Sequence, residues 1–248
     1  MRKTLGVIPA RLASTRLPGK PLRQIAGRPM IAWVYERARQ APSLDGLLVA
    51  TDSPEIEFYC QSQKIPVMMT SSEHRSGTDR LVEVMVHEPA DIYVNIQGDE
   101  PMITPDHLER LLSPFRGPAG AEVSTLKVQI DRKNARDPNQ VKVVTDRAGQ
   151  ALYFSRAPIP YDRDGNSPAK YFKHLGIYAF TAGALGKFHG LAPGPLEQSE
   201  KLEQLRWLEN GIPIVVVETP HDTIGVDTEE DLRKVEAYFL GLQQETGR

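Results

Sequence analysis

A single cysteine, Cys60, stands in 248 residues. No internal disulfide can form, an extracellular scaffold stapled by such bonds is excluded, and a reducing, cytoplasmic setting is expected. No apolar run approaches the roughly 18–20 residues that cross a bilayer, and the longest strand-like run, Ile212–Val217, contains Pro213. The charged start is followed by a six-residue apolar stretch, too short for the h-region of a signal peptide. Net charge is only −2, from 30 Lys+Arg against 32 Asp+Glu, which argues against a chain that binds nucleic acid through a broadly basic surface.

Several signatures of catalysis are also missing. No two glycines are separated by one residue, so the dinucleotide fingerprint is absent, and Ser14 and Pro21 stand where a P-loop needs Gly and Ser/Thr. The histidines, at 74, 87, 107, 174, 189 and 221, show no H-E-x-x-H or paired-ligand spacing, so zinc is not expected. There is no G-x-S-x-G elbow for a serine hydrolase. Cys60 lies in an amphipathic stretch and reads as packing rather than as a nucleophile.

What is present alternates. Thr4–Ala10 reads as a buried strand ended by Pro9, and Pro29–Gln40 as a helix with Met30, Ile31, Val34 and Ala38 along one stripe. Leu47–Thr51 (strand), Pro54–Gln63 (helix) and Pro66–Thr70 (strand) follow. Gly77–Glu88 reads as a helix with Leu81, Val82, Met85 and Val86 inward, and Asp91–Ile96 as a strand. This order predicts an α/β fold with a mostly parallel sheet flanked by helices. From Glu122 to Phe180 strand signals dominate, at Val123–Ile130, Val141–Thr145, Ala151–Ser155 and Leu175–Phe180. Helices return at Leu196–Asn210 and Thr228–Leu242, with a strand at Ile212–Val217 between them. Arg116–Gly120 and Asp162–Ala169 read as exposed loops. The expectation is one domain, 1–248, with a strand-rich insertion at approximately 122–195.

Charge is unevenly placed. Residues 1–35 hold seven bases and no acid, leaving 23 bases against 32 acids in the remainder. Arg11, Arg16 and Lys20 follow the first strand, at the sheet edge where open α/β proteins bind ligands, and could surround a polyphosphate. A solvated basic loop is the plainer alternative. Gly98 permits a sharp turn after the strand at 91–96, so Asp99 would project at the same edge. A carboxylate facing phosphates needs a divalent cation between them, and Mg²⁺ suits that role; ordinary turn chemistry would equally place an Asp there. Asp227, in Gly225-Val226-Asp227-Thr228, is a second metal candidate, although Asp227 or Thr228 could simply cap the last helix with Glu230 or Asp231.

Taken together, IPARLASTRLPGKP (8–21), NIQGDEPMI (95–103), ALYFSRAPIP (151–160), KHLGIY (173–178), LEQLR (202–206) and GVDTEEDL (225–232) closely resemble the 3-deoxy-manno-octulosonate cytidylyltransferase family, in its order and over nearly the whole chain. The resemblance implies a nucleotide-diphospho-sugar transferase fold, glycosyltransferase-A-like, a homodimer, and Mg²⁺-dependent transfer from CTP to the sugar acid Kdo for lipopolysaccharide assembly. By motif, Arg11 and Lys20 are implied as CTP phosphate ligands, Ser76 as a CTP contact, and Gln97 as a nucleotide or sugar contact. Asp99 and Asp227 match the metal-binding acids. Arg16, Arg80, Arg156, His174, Tyr178, Glu203 and Gln204 match positions expected near the sugar acid. His174 and Tyr178 also share a strand face by period-two alternation, whereas Glu203 and Gln204 lie off the Leu202-Leu205-Leu208 stripe, where a solvated face is the alternative. Relatives often carry Gly and Tyr where this chain has Ala179-Phe180, which touches fine sugar recognition.

The implied mechanism is in-line attack of the Kdo C2 hydroxyl on the α-phosphorus, with pyrophosphate leaving. Two rivals carry distinct signatures: a sugar-1-phosphate nucleotidyltransferase would need a phosphate acceptor, and a phospholigand- or RNA-binding module would bind without Mg²⁺ and with steep salt dependence.

Overall fold

The structure, a computed structural model, describes residues 2–13, 17–74, 76–117, 120–165 and 170–246. Arg16 and parts of the loops expected at 116–120 and 162–169 lie outside the described residues. The chain divides into two compact units, Met1–Glu109 with Thr223–Arg248, and Arg110–Asp222. The second unit is thus one continuous insertion, and the span 122–195 expected from sequence lies inside it. Among the described residues, no helix is long and apolar enough to cross a membrane.

The first unit begins with β1 (Thr4–Ala10), in which Val7 and Ile8 are fully buried. A two-residue ribbon, β2 (Gln24–Ile25) and β3 (Arg28–Pro29), leads into α1 (Met30–Ala38). Met30, Ile31, Val34 and Ala38 are all buried, as the stripe predicts. Then come β4 (Gly46–Thr51), α2 (Pro54–Ser62), β5 (Val67–Met69), α3 (Gly77–His87), β6 (Ile92–Asn95) and α4 (Pro105–Leu112). The four longer strands pair in parallel in the order β6-β1-β4-β5. Both faces of the central strands are covered, hence their near-continuous apolar runs.

α3 corrects one expectation. Its inner face is Thr78, Leu81 and Val84, and Val86 is 72% exposed. Val86 lies two residues beyond Val84, about 200° round the helix, so apolar character misassigned it. The unit is closed by α8 (Glu229–Thr246), whose Leu232, Val235 and Phe239 pack with Leu17, Ile25, Met30 and Val226. Trp33 stacks on Phe239 at 4.1 Å while its indole N–H donates to the Ile25 carbonyl at 2.7 Å.

The second unit holds β7 (Val123–Ile130), β8 (Lys142–Thr145), β9 (Ala151–Ser155), β10 (Tyr171–Thr181), α5 (Ala182–His189), α6 (Pro195–Glu200), α7 (Gln204–Glu209) and β11 (Val215–Glu218). β10 pairs with β7 antiparallel and β11 with β7 in parallel, while β8 and β9 form a hairpin beside β10. The helix expected at 196–210 is two helices, because Lys201 adopts a left-handed conformation (φ 55°) between them. Trp207 rather than Leu208 takes the inner position of α7, stacked on Phe180 (5.3 Å) and Phe188 (4.7 Å). α5 escaped the sequence reading because Gly183 and Gly186 weaken its helical signal. Burial of Ala184, Leu185 and Phe188, with Thr181 as cap, sustains it.

Candidate active site

Three segments of the first unit meet at the carboxyl ends of β1 and β6. The register sets Val7 opposite Asn95, and the Ile96 N–H donates to the Val7 carbonyl at 2.9 Å. Arg11 and Gln97 therefore emerge side by side. A Cβ at Gly98 would lie 2.9 Å from the Pro9 carbonyl oxygen, so only glycine lets the turn carrying Asp99 approach β1 this closely. Gly19, at φ 67°, opens a single 3₁₀ turn over Lys20–Leu22, which carries Lys20 back toward the strand ends.

The third segment arrives from the far end of the sequence. The Val226 N–H donates to the Asp99 carbonyl at 2.9 Å, which sets Asp227 beside Asp99. The capping question at 227–228 is resolved by Thr228. Its hydroxyl oxygen accepts from the Asp231 N–H at 3.2 Å, and the Asp231 carboxylate accepts from the Thr228 N–H at 3.0 Å. With the cap supplied by its neighbour, Asp227 faces Lys20.

The Lys20 ammonium donates to Asp99 Oδ2 at 2.6 Å and to Asp227 Oδ1 at 3.0 Å. Burial pushes its pKa down, but the two carboxylates outweigh burial and hold it above the usual lysine value. The three groups lie on a cavity of about 370 Å³, lined also by Arg11, Pro21, Gly77, Gln97 and Gly98. Arg11 Nη2 donates to the carbonyls of His74 and Ser76, the latter at 3.3 Å. Burial, then the nearby Arg80 cation, push its pKa down.

Two carboxylates that already converge on one cation fit a divalent metal. Among the described residues no group of three or more His, Cys, Asp or Glu could hold one. A pair of acids leaves the other positions to substrate oxygens and water, the preference of Mg²⁺.

Other expected residues fall elsewhere. Ser76 opens α3, its hydroxyl oxygen accepting from the Asp79 N–H while the Asp79 carboxylate accepts from the Ser76 N–H; its carbonyl serves Arg11. Arg80 is fully buried within the first unit. Its guanidinium is engaged by Asp52 (2.9 Å) and the Thr70 hydroxyl, and its Nε has no partner among the described residues. Asp52 and Thr70 were missed, since neither belongs to a motif; a buried arginine at a helix start is the signal that calls for such partners.

In the second unit the structure gathers His174 and Tyr178, with ring centroids 5.4 Å apart. β10 bulges between Leu175 and Tyr178, so His174 opposes Lys127 and Tyr178 opposes Thr125. Two extra residues preserve the parity of the strand, and both rings keep one face. The Thr125 hydroxyl fills the bulge, within 3.0 Å of His174 Nε2 and bonding to the Leu175 and Ile177 carbonyls at 3.1 and 2.8 Å. Burial, with Lys173 adding to it, pushes the His174 pKa down to about 3, so the ring is neutral. Burial and Glu203 push the Tyr178 phenol well above its usual value, against a smaller opposing effect of the Thr125 hydroxyl. Gln204, at the start of α7, is buried rather than on a solvated face.

The Arg156 guanidinium donates to the carbonyls of Pro138 (3.0 Å), Glu200 (2.8 Å) and Lys201 (3.5 Å). Beneath it Lys142, fully buried, donates to the carbonyls of Asp137 (2.8 Å), Gln140 (2.5 Å) and Arg156 (2.6 Å). Lys142 was invisible to sequence reasoning, because a lysine in a strand reads as solvent-facing.

Comparison with known proteins gives a consistent result. A family model described as cytidylyltransferase matches residues 5–218. A 3-deoxy-manno-octulosonate cytidylyltransferase of Acidobacterium capsulatum is 55% identical over 95% of this chain and 96% of its own length. One from Escherichia coli is 48% identical over 96% of each. Among solved structures, a CMP:2-keto-3-deoxy-manno-octonic acid synthetase complexed with CTP superposes with a TM-score of 0.93 at 48% identity, covering 96% of this chain and 99% of that one.

Proposed function

The chain belongs to the 3-deoxy-manno-octulosonate cytidylyltransferase family, and from that premise we propose that it transfers the cytidylyl group of CTP to Kdo, releasing pyrophosphate. One observation carries the chemistry: the Lys20 ammonium bridges Asp99 and Asp227 in a cavity that Arg11 also lines. Anionic phosphates and a metal-binding acid pair are the groups such a mixture of charges suits.

In the reaction the Kdo anomeric oxygen forms a bond to the α-phosphorus as the bond to pyrophosphate breaks, and the hydroxyl proton passes to solvent water. The Lys20 ammonium is kept protonated by Asp99 and Asp227 and so is no nucleophile, and the displacement is taken as direct, without a covalent enzyme intermediate. Arg11 and Lys20 orient the triphosphate and offset charge on the leaving pyrophosphate. Asp99 and Asp227 would hold Mg²⁺, which supplies Lewis-acid polarisation of phosphate and hydroxyl oxygens when bound. Lys20 must then release the acids and turn to phosphate, a change within reach of a flexible four-carbon stem. Gln97 contacts nucleotide or sugar.

The second unit's neutral His174, Tyr178 and Gln204, with Glu203 and Arg156, serve the sugar acid, whose many hydroxyls need both donors and acceptors. The product is an activated sugar for lipopolysaccharide assembly in the cytoplasm, and a homodimer belongs to the same reading.

The test is pyrophosphate release with the four common NTPs crossed against Kdo, sialic acid and hexose 1-phosphates, with and without Mg²⁺. CTP with Kdo and Mg²⁺ should be the productive combination. Turnover only with hexose 1-phosphates would overturn the assignment, and full activity after chelation would remove the metal from it.

A further inference from the structure

Arg11 is aimed by main chain. Its Nη2 donates to the carbonyls of His74 and Ser76, so its direction depends on where residues 71–74 and 76 lie. The described run, 71–74 and 76, is held at both ends by side chains of α3. At its far end Ser76 and Asp79 form a reciprocal cap. At its near end Glu83 Oε2 accepts from the Ser71 N–H at 2.9 Å and bonds the His74 ring at Nε2. The Glu73 N–H donates to the Ser71 hydroxyl at 3.1 Å, tightening the turn between them. Burial pushes the Glu83 carboxyl up, but the bonds from His74 and Ser71 outweigh it and hold it below the usual carboxylate range. Neither His74 nor Glu83 lines the cavity.

We propose that His74 and Glu83 are positioning residues for nucleotide binding: by clasping residues 71–74 next to the Ser76 cap they set the carbonyls that aim the Arg11 guanidinium, a side chain that lines the cavity. This rests on Arg11 being a triphosphate ligand, as proposed above. A hydrogen-bonded donor is directional, and a tilt of its supporting carbonyls weakens the bond it makes to phosphate. The ring and carboxylate thus act on CTP through Arg11 without touching it.

The experiment measures KM for CTP, kcat and melting temperature for the wild type, Arg11→Ala, Glu83→Ala and the double variant. Glu83→Ala should raise KM for CTP about tenfold with kcat changed less than about threefold, and the double variant should be no worse than Arg11→Ala alone. A lowered melting temperature with unchanged KM would show Glu83 to be merely structural and overturn the proposal, as would effects of Arg11 and Glu83 that multiply. If Arg11→Ala itself leaves KM unchanged, the reading of Arg11 fails, a result distinct from failure of the clasp. Should Glu83→Ala not fold, Glu83→Gln keeps an acceptor for the Ser71 N–H but loses the charge. It should raise KM about threefold, and an unchanged KM would again overturn the proposal.

Discussion

In the first unit three ionised groups meet partly exposed, the side chains of Lys20, Asp99 and Asp227 at 15%, 31% and 42%. In the second, His174 and Gln204 are polar but uncharged and buried, and burial itself keeps the imidazole neutral. The first arrangement suits groups that exchange partners, since an ammonium between two acids can be displaced by another cation while water offsets part of the cost. The second suits recognition of hydroxyls, because a buried neutral donor rejects whatever leaves it unpaired. Under the proposed function, charge placed for chemistry and neutrality placed for selection belong to separate units of one chain.

Four substitutions or conditions break or sharpen that contrast. The largest effect is expected from Asp99→Asn, which keeps shape and removes charge. kcat should fall about 10³-fold, or about 4 kcal/mol, with circular dichroism and melting temperature unchanged; activity within tenfold of wild type would mean that the acid's charge is dispensable. Next, Lys142→Met leaves three carbonyls without their shared donor and should cost about 3 kcal/mol in urea unfolding. A loss below about 1 kcal/mol would show that the second unit does not depend on its buried cation.

Third comes pH. With its folded pKa depressed to about 3, His174 takes up a proton on unfolding wherever pH lies between that value and the ordinary one. Its contribution to stability is complete above about pH 6.5 and declines below it, by about 1.4 kcal/mol per pH unit. Unfolding at pH 7 and pH 5 should show that slope, and His174→Asn should flatten it; an equal slope in the variant would assign the effect to other groups. Smallest is Lys20→Met, which removes the ammonium competing for the acids. Calorimetry on nucleotide-free protein should find Mg²⁺ binding about fivefold tighter, and weaker binding would contradict an exchangeable pair.

The contrast also explains what the sequence made legible. β1, β7 and β9 have the bounds expected from the sequence; of these β1 owes them to an apolar run buried on both faces, whereas β7 carries Ser124, Thr125, Lys127 and Gln129 and Leu152 of β9 is exposed. Spacing alone left Lys20, Asp99 and Asp227 open to loop, turn and cap readings, and the motif resemblance singled them out; the structure brings the three side chains together. The cap itself remained open, as Asp227 and Thr228 are both good caps and only the placement of Asp231 decides. In the second unit less was visible. The break at Lys201 sits in a sequence with no Gly or Pro at that point. The inward turn of Gln204 follows from that break rather than from any period. Arg80 depends on Asp52 and Thr70, well separated from it in sequence, and Lys142 on main-chain carbonyls, which every residue carries and no side-chain pattern marks.

The central claim is that Asp99 and Asp227 act as one unit on one shared cation. A double-mutant cycle on kcat, with Asp99→Asn, Asp227→Asn and both together, measures this directly. If the acids share the cation, each single change should cost about 10³-fold and the double change should cost no more than about tenfold beyond either. Losses that multiply, so that the double variant falls by the product of the two, would show independent roles and contradict the account.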